Sequence, residues 1–435
     1  MLEGQPCLIS RPLPSSCEQE SKWVYMRYHL LEISSGKGKR PSPEKEEEHS
    51  NGGAHRKKKQ AAAPPPPPVT AAPEEASSSE EGQGEQHYYE PNSLIQALGR
   101  DISINCLLRC SRSDYGVLAA LNQSFRSLIR SGDLYRFRRQ NRVVEHWVYL
   151  SCSVLEWEAF DPRRRRWMRL PRMPLPNECF VCSDKESLAV GTELLVFGRE
   201  VNSHIVLRYS ILTHTWSPGA EMNTPRCLFG SASLGEIAIV AGGCSAQGAV
   251  YSSAELYNSE TQRWTSLPSM NTPRKMCSGI FMDGKFYVIG GTGAGGAALT
   301  CGEEYDPRRG TWRVIDDMFP AQNGGATGAP PLVAVVGDEL YSADYAEKVV
   351  RKYEKKSNQW LTLGSLPERS VSVNGWGLAF RACGEQLIVI GGPRSTNGGS
   401  IDLNAWVPGE APPQWELIDS KASGGFVYNC AVMGC

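Results

Sequence analysis

The chain has 435 residues and nearly balanced charge, with 46 Lys and Arg against 47 Asp and Glu and a net charge of −1. This length exceeds one ordinary domain and allows a large core. The charge balance excludes a global field that would attract nucleic acid or an anionic membrane. No transmembrane helix and no secretory signal are expected, so the 14 cysteines are predicted to be free thiols in a reducing compartment.

Residues 1–91 are predicted to be a disordered N-terminal region. Residues 34–91 combine an acidic run, Glu46–Glu48, with five consecutive prolines, Pro64–Pro68, a composition that cannot build a core. Two basic clusters, Lys37–Arg40 and His55–Lys59, allow two interpretations: a bipartite nuclear import signal, or solvated charges on a linker. Location in the nucleus, the cytoplasm or both is therefore expected. A short apolar cluster within residues 1–33 is either a docking peptide or an incidental hydrophobic tail.

In residues 92–140 the apolar residues recur with the period of a helix. One apolar stripe contains Ile102, Ile104, Leu107 and Leu108, and a second contains Val117, Leu118, Leu121, Phe125, Leu128 and Ile129. Ser113 or Asp114 is expected to cap the second helix, and Gly132 lies where a left-handed C-cap belongs. About fifty residues make a small core, so part of this apolar surface is expected to meet a partner or the rest of the chain.

Residues 143–435 contain a repeat built on an aromatic residue followed seven residues later by tryptophan. The copies are Phe160–Trp167, Tyr209–Trp216, Tyr257–Trp264, Tyr305–Trp312 and Tyr353–Trp360, followed by a stretched pair, Trp406–Trp415. Successive tryptophans of the five regular copies lie 49, 48, 48 and 48 residues apart. A period near 50 that carries several short apolar runs indicates an all-β propeller, with the aromatic residues packed between its blades.

The strand count predicts how the ring closes. Five complete four-stranded units leave over three N-terminal strands, near His146–Leu150, Leu155–Phe160 and Trp167–Leu170, and one C-terminal strand, Phe426–Met433. Three strands and one strand make a sixth blade. Joining the two ends of the chain in this way removes the open edge that a five-bladed arc would expose.

The diglycines, the aromatic–tryptophan pairs and the period resemble kelch repeats. Residues 94–139 resemble an F-box, on the runs Ile104–Leu108 and Leu118–Leu128, with Leu94–Leu98 at the usual Leu-Pro opening and Phe125 at the usual tryptophan. The whole arrangement is similar to plant F-box/kelch-repeat proteins. This resemblance implies a substrate adaptor of an SCF-type cullin–RING ubiquitin ligase, with an F-box that binds the Skp-type adaptor and a propeller that binds an unidentified client. The adaptor-binding residues that it implies are Leu94, Ile95, Leu98, Ile104, Leu107, Leu108, Leu118 and Leu121.

Three residues are predicted to line a client-binding mouth. Arg226 and Arg274 follow the repeated Asn-Thr-Pro at equivalent places in two blades, and Asn374 is expected on the same face. The alternative is that both arginines hydrogen-bond the loops of their own blades. The other function class is a kelch scaffold that never meets a ligase, because kelch repeats alone define no function.

The sequence offers few candidate catalytic or metal-binding residues, and the chain is not expected to be an enzyme or to hold a metal or cofactor. Cys179-x-x-Cys182 has no second Cys or His pair nearby in sequence, so a zinc site is not favoured. The four-arginine run Arg163–Arg166 allows two interpretations, a solvated turn or a site for an acidic partner.

Overall fold

The computed structural model describes residues 94–95, 98–153, 155–174, 186–199, 204–320, 328–368, 370, 372, 374–392, 399–409 and 411–435. The predictions for residues 1–91 and for the Cys179-x-x-Cys182 pair lie outside these residues. Among the described residues, no helix is both long and apolar enough to cross a bilayer.

In the part of the chain that the structure describes, four short helices precede the strands, and we call residues 94–142 the helical module. The helices are α1 (Arg100–Arg109), α2 (Tyr115–Leu121), α3 (Gln123–Arg130) and α4 (Asp133–Gln140), with a 3-10 turn at Arg112–Asp114. The second predicted stripe is divided at Asn122, whose side chain accepts a hydrogen bond from the Phe125 amide at 2.8 Å and so caps α3. Gly132 has a φ of +83°, the left-handed conformation that its position predicted. The expected cap at Ser113 or Asp114 is wrong in detail: Asp114 precedes α2 without a side-chain cap, and Ser111 caps the 3-10 turn.

Twenty-four strands follow in the part of the chain that the structure describes. They are β1 (His146–Ser151), β2 (Glu158–Asp161), β3 (Arg166–Arg169), β4 (Ser187–Val190), β5 (Glu193–Arg199), β6 (His204–Ser210), β7 (Thr215–Pro218), β8 (Gly230–Leu234), β9 (Ile237–Ala241), β10 (Ala254–Asn258), β11 (Arg263–Leu267), β12 (Ser278–Met282), β13 (Lys285–Ile289), β14 (Gly302–Asp306), β15 (Thr311–Ile315), β16 (Val333–Val336), β17 (Glu339–Asp344), β18 (Val349–Glu354), β19 (Gln359–Ser365), β20 (Ala379–Cys383), β21 (Gln386–Gly391), β22 (Gly399–Trp406), β23 (Glu416–Ser423) and β24 (Asn429–Gly434). They form six antiparallel four-stranded sheets, so the predicted six-bladed propeller is confirmed.

The ring closes between the two ends of the repeat region. One sheet has the strand order β24-β1-β2-β3, with Trp147 opposite Met433 and Tyr149 opposite Ala431. This is the predicted blade of three N-terminal strands and one C-terminal strand. Because β24 lies innermost in that blade, the closing hydrogen bonds lie next to the propeller axis.

The repeated tryptophans connect neighbouring blades, as predicted. In the blade formed by β8–β11, Tyr257 and Trp264 are directly opposite each other, with ring centroids 4.9 Å apart. The Trp264 indole N–H donates to the Ala220 carbonyl, in the connection from the preceding blade, at 2.9 Å. Trp312 makes the equivalent bond to the Pro268 carbonyl at 2.7 Å. Each tryptophan therefore covers apolar surface and satisfies a backbone carbonyl between two blades.

Strand direction alternates within each blade, so the connections divide between two faces of the disc. The hairpin face carries the short turns 162–165, 191–192, 211–214, 235–236, 259–262, 283–284, 307–310, 337–338, 355–358 and 384–385. The connection face carries the longer segments 219–229, 242–253, 268–277, 290–301, 366–378 and 424–428, some of which are described only in part. These two faces organise the candidate sites.

Candidate interaction sites

The helical module lies on the hairpin face. Arg139 forms a short ion pair with Glu236 in the β8–β9 turn, and the Nε of Arg136 lies 3.7 Å from a carboxylate oxygen of Glu260 in the β10–β11 turn. Gly132 lies against the Leu212 side chain in the β6–β7 turn. The contacts reach turns of successive blades, so the helices rest on the propeller itself.

Glu145 links the helical module to the ring closure. Its carboxylate accepts hydrogen bonds from the Ser111 hydroxyl at 3.0 Å and the Arg112 amide at 3.1 Å, and it lies 3.4 Å from the Arg138 guanidinium. Its own amide and carbonyl pair with those of Cys435, at 3.1 Å in each direction. One residue therefore contacts the helices through its side chain and, through its backbone, the residue directly after the closing strand.

Arg112 enters the propeller from the helical module. Its guanidinium donates to the Tyr149 hydroxyl at 3.0 Å and to the Met433 carbonyl at 3.4 Å, and it lies 4.8 Å from the centre of the Trp147 ring system. Burial raises the pKa of the Tyr149 hydroxyl, so this hydroxyl is a neutral acceptor at physiological pH. Cation–π contact and hydrogen bonds together compensate for removing the guanidinium from water.

Arg138 is a second buried arginine, and its hydrogen bonds lie inside the helical module. Its guanidinium donates to the Leu108 carbonyl at 3.0 Å, the Cys110 carbonyl at 2.6 Å and the Tyr115 hydroxyl at 3.0 Å. The Leu108 and Cys110 carbonyls belong to the C-terminal end of α1, where intrahelical donors are missing. The Arg138 side chain therefore joins α4 to α1 and, through Glu145, to the propeller.

The predicted adaptor-binding residues divide between the interior and the surface. Leu94, Leu107 and Leu108 are buried, in a core that the helices share with Trp147 and Trp157 of the propeller. Half-buried positions hold Ile95, Leu98, Ile104 and Leu118. Only Leu121 is largely exposed, at 65%. The prediction that Leu94, Leu107 and Leu108 face a partner is therefore corrected: their side chains pack into the shared core.

Two apolar side chains that the prediction left out are exposed instead. Ile102 is 55% exposed and Val117 is 67% exposed. Val117 and Leu121 lie four residues apart and therefore share one face of α2. Ile102 and Leu107 are five residues apart, which places them on nearly opposite sides of α1 at 3.6 residues per turn. A helix that is apolar on two sides is the sequence signal that would have identified this second surface.

The predicted client-binding arginines are buried. The Arg226 guanidinium lies 2.7 Å from the Glu255 carboxylate, and the Arg274 guanidinium lies 2.9 Å from that of Glu303, with all four side chains at most 1% exposed. Arg226 also donates to the Gly242 and Ser253 carbonyls of its own blade. These contacts contradict the prediction that the two arginines line a client-binding mouth, and they match the alternative, in which each arginine hydrogen-bonds the loops of its own blade. Asn374 is exposed on the connection face, with a φ of +51°.

The arginine run in the β2–β3 turn is partly structural. Arg164 contacts Ser111 through a short hydrogen bond and lies 3.6 Å from Asp161 and 3.9 Å from Glu145. Arg165 forms a short ion pair with Glu416. Arg164 therefore adds a further link between the helical module and the hairpin face.

Comparison with known proteins places these features in a family. The kelch-motif model matches residues 225–271 and 273–319. Two relatives from Arabidopsis thaliana are the F-box/kelch-repeat protein At1g74510, 51% identical over 100% of both chains, and the F-box/kelch-repeat protein SKIP11, 60% identical over 80% of this chain and 76% of the relative. A third, the F-box/kelch-repeat protein At1g26930, is 50% identical over 80% of this chain and 84% of the relative. The chain belongs to the F-box/kelch-repeat protein family.

The kelch propeller of this family member encloses a central cavity of about 510 Å³. The innermost strand of every blade contributes to the lining, which includes Ser187, Ser231 and Arg381. Within the ranges that the structure describes, no group of three or more His, Cys, Asp or Glu side chains is placed to hold a metal ion. The kelch propeller is a protein-interaction module, and the connection face and the helical module are its two candidate surfaces.

Proposed function

We propose that this F-box/kelch-repeat protein is the substrate-recognition subunit of an SCF-type cullin–RING ubiquitin ligase. Its F-box would bind the Skp-type adaptor, and its propeller would hold a client protein for ubiquitination. The observation that carries the proposal is that the helical module has two apolar sides. One apolar side packs on the propeller, while Ile102, Val117 and Leu121 remain exposed on a module of the F-box type.

The exposed apolar residues fit the binding of a partner. Val117 and Leu121 are one helical turn apart, the spacing at which a short helix places two anchors in a hydrophobic groove. Burying them against a partner would stabilise the complex by about 1.5–3 kcal/mol for each fully covered side chain. The docking surface for the Skp-type adaptor is therefore proposed around Ile102, Val117 and Leu121, with the half-buried Ile104 and Leu118 beside them.

The fixed position of the helical module supports the same role. Arg112, Arg138 and Glu145 hold the helices on the hairpin face, so a partner on the helices and a client on the opposite face would keep one relative orientation. A client held in this way experiences a high effective concentration of the recruited ubiquitin-conjugating enzyme. The proposal assigns no reaction to the chain itself.

The connection face is proposed as the client surface because the helices occupy the other face. It is built from loops on a rigid scaffold, the arrangement in which binding residues are concentrated in proteins. Asn374 remains a candidate contact. Arg226 and Arg274 would act indirectly, by holding the connections on which contact residues lie.

Co-purification with a Skp-type adaptor tests the proposal. The full chain should retain the adaptor, and the double variant Val117→Asp/Leu121→Asp should lose it while the protein stays folded, because both side chains are exposed. Leu417→Asp is the matched control, since Leu417 is 50% exposed on the propeller strand β23. Failure of the wild-type chain to bind any Skp-type adaptor would favour the alternative, a kelch scaffold that is not linked to a ligase.

Location in the nucleus, the cytoplasm or both is part of the proposal, supported by the two basic clusters. Replacing Lys57, Lys58 and Lys59 by Ala in a fluorescent fusion separates the two interpretations of those clusters. Loss of nuclear signal would identify an import signal, and an unchanged distribution would identify a solvated linker.

A further inference from the structure

Two buried thiols meet on the connection face of the propeller. Cys227 follows Arg226 in the connection between β7 and β8, and Cys244 follows the diglycine after β9. Their sulfur atoms are 3.7 Å apart, and their side chains belong to residues only 3% and 1% exposed. The prediction of free thiols from the sequence did not bring this pair together.

The backbone holds these two cysteines opposite each other. The Cys227 amide donates to the Cys244 carbonyl at 3.0 Å, and the Cys244 amide donates to the Cys227 carbonyl at 2.8 Å. A doubly hydrogen-bonded antiparallel pair has a Cα separation of about 5.5 Å. Disulfides have Cα separations of roughly 4.4–6.8 Å. The sulfur atoms therefore need only side-chain rotation and a small backbone adjustment to bond.

A glycine makes the close approach possible. A Cβ atom at Gly243 would lie 2.5 Å from the Cys227 carbonyl oxygen, so no other residue fits there without a shift. Gly243 also has a φ of +88°, in the left-handed region that favours glycine. The diglycine thereby sets the distance between the two connections that carry the thiols.

The next blade shows that the backbone pairing does not depend on cysteine. Lys275 and Thr292 lie 48 residues after Cys227 and Cys244, and they form the same bridge, with hydrogen bonds of 2.9 and 2.7 Å. Lysine and threonine cannot form a cross-link of this kind. The bridge is thus a property of the repeat, and the facing thiols are an addition specific to one blade.

We propose that Cys227 and Cys244 form a reversible disulfide when the protein meets a peroxide, which joins two loops of the connection face covalently. The inference stands apart from the proposed ligase role, because it requires only the propeller. It would change the surface on which a client is proposed to bind, by fixing 219–229 to 242–253.

The chemistry balances with hydrogen peroxide as the oxidant. One thiolate attacks a peroxide oxygen, the O–O bond breaks, and the released hydroxide takes a proton to become water, which leaves a sulfenic acid. The second thiolate attacks that sulfur, the S–S bond forms, the S–O bond breaks, and the departing hydroxide becomes the second water. Two thiols lose two electrons and one peroxide gains them. Excess dithiothreitol reverses the reaction by thiol–disulfide exchange.

Peptide mapping of the full chain under non-reducing conditions tests the proposal. Wild-type protein is treated with hydrogen peroxide, its remaining thiols are alkylated after denaturation, and it is cleaved after Glu236, which lies between the two cysteines. The expected result is a linked pair of peptides that contain Cys227 and Cys244 and that separate after dithiothreitol. Cys277→Ser, which removes a neighbouring buried thiol, should leave the link intact.

Three results would overturn the inference. The first is that Cys227 and Cys244 still react with the alkylating reagent after a peroxide dose that oxidises other thiols of the chain. The second is that Cys227 is linked to a different cysteine. The third is that the two peptides remain linked in Cys244→Ser, which would show that the second sulfur of the link does not belong to Cys244. Circular dichroism of each variant before oxidation confirms that the propeller is folded, so that each mapping result reports on the native pair.

Discussion

The Glu145 carboxylate lies 3.4 Å from the Arg138 guanidinium, and this ion pair joins the helical module to the residue directly before β1, at the closure of the propeller. Arg138 is 1% exposed and Glu145 is 14% exposed in their side chains. The pair therefore belongs to the interior, where a charge that loses its partner is costly. This ion pair is one of the contacts, together with those of Arg112 and Arg139, that hold the helical module on the propeller.

Glu145→Ala should destabilise the protein by about 3–5 kcal/mol, because it leaves the buried Arg138 guanidinium without its partner charge. Chemical denaturation monitored by tryptophan fluorescence measures the change. Limited proteolysis should also show faster cleavage within residues 94–142, since the helices lose one of their attachments to the propeller. Arg136→Ala is the control, because Arg136 is 49% exposed and its ion pairs contribute little. Equal stability of the two variants would contradict the assignment of Glu145.

Trp264→Ala should destabilise the propeller by about 3–5 kcal/mol, through the loss of a large buried side chain between two blades. Trp264→Phe should cost less, since it keeps a ring against Tyr257 and loses the hydrogen bond to the Ala220 carbonyl. Differential scanning calorimetry compares the three proteins. If Trp264→Ala melted within a degree or two of the wild type, the tryptophans would not hold the blades together.

Deletion of residues 426–435 should open the ring. The blade formed by β24, β1, β2 and β3 would lose β24, its innermost strand, and would expose an unpaired edge beside the axis. We expect the truncated protein to aggregate, as measured by size-exclusion chromatography with light scattering. Deletion of residues 92–140 is the matched comparison, because all six sheets remain complete. A soluble, folded product of the first deletion would show that closure by β24 is dispensable.

Glu304 should contribute pH-dependent stability. Burial raises the pKa of this carboxyl, but hydrogen bonds from Lys285, Arg313 and Tyr287 outweigh it and hold the pKa at about 2. In the unfolded chain a glutamate has a pKa of about 4.3. The stabilisation is therefore complete above that value and is lost as the pH falls toward 2. Its upper bound is about 3 kcal/mol for a difference of about two pKa units.

The variant Glu304→Gln tests this dependence. Urea denaturation at pH 7 should show a clear loss of stability relative to the wild type. The difference should shrink as the pH falls below about 5 toward 2, because the carboxyl of the unfolded wild-type chain takes up a proton before the folded one does. Glu347→Gln is the control, because Glu347 is 58% exposed. A difference that stays constant across this range would mean that the charge on Glu304 does not carry the effect.

The repeat by itself determined the propeller. Each aromatic–tryptophan pair, such as Tyr305 and Trp312, recurs in register because the two residues face each other on adjacent strands of one blade. A regular repeat reflects contacts between residues that are close in sequence. The number of strands then requires that β1 and β24 pair to close the ring. The six blades and the sixth blade's composition followed from these local patterns.

The tertiary structure decided which residues are available for binding. A helical stripe shows that Leu107 and Leu108 are apolar, but only the position of the propeller beneath them shows that they are buried and that Val117 and Leu121 are exposed. Likewise, Arg274 follows a repeated motif in the connection before β12, and its partner, Glu303, lies 29 residues later on β14. Burial and pairing depend on surfaces brought together across the chain, and no local pattern contains that information.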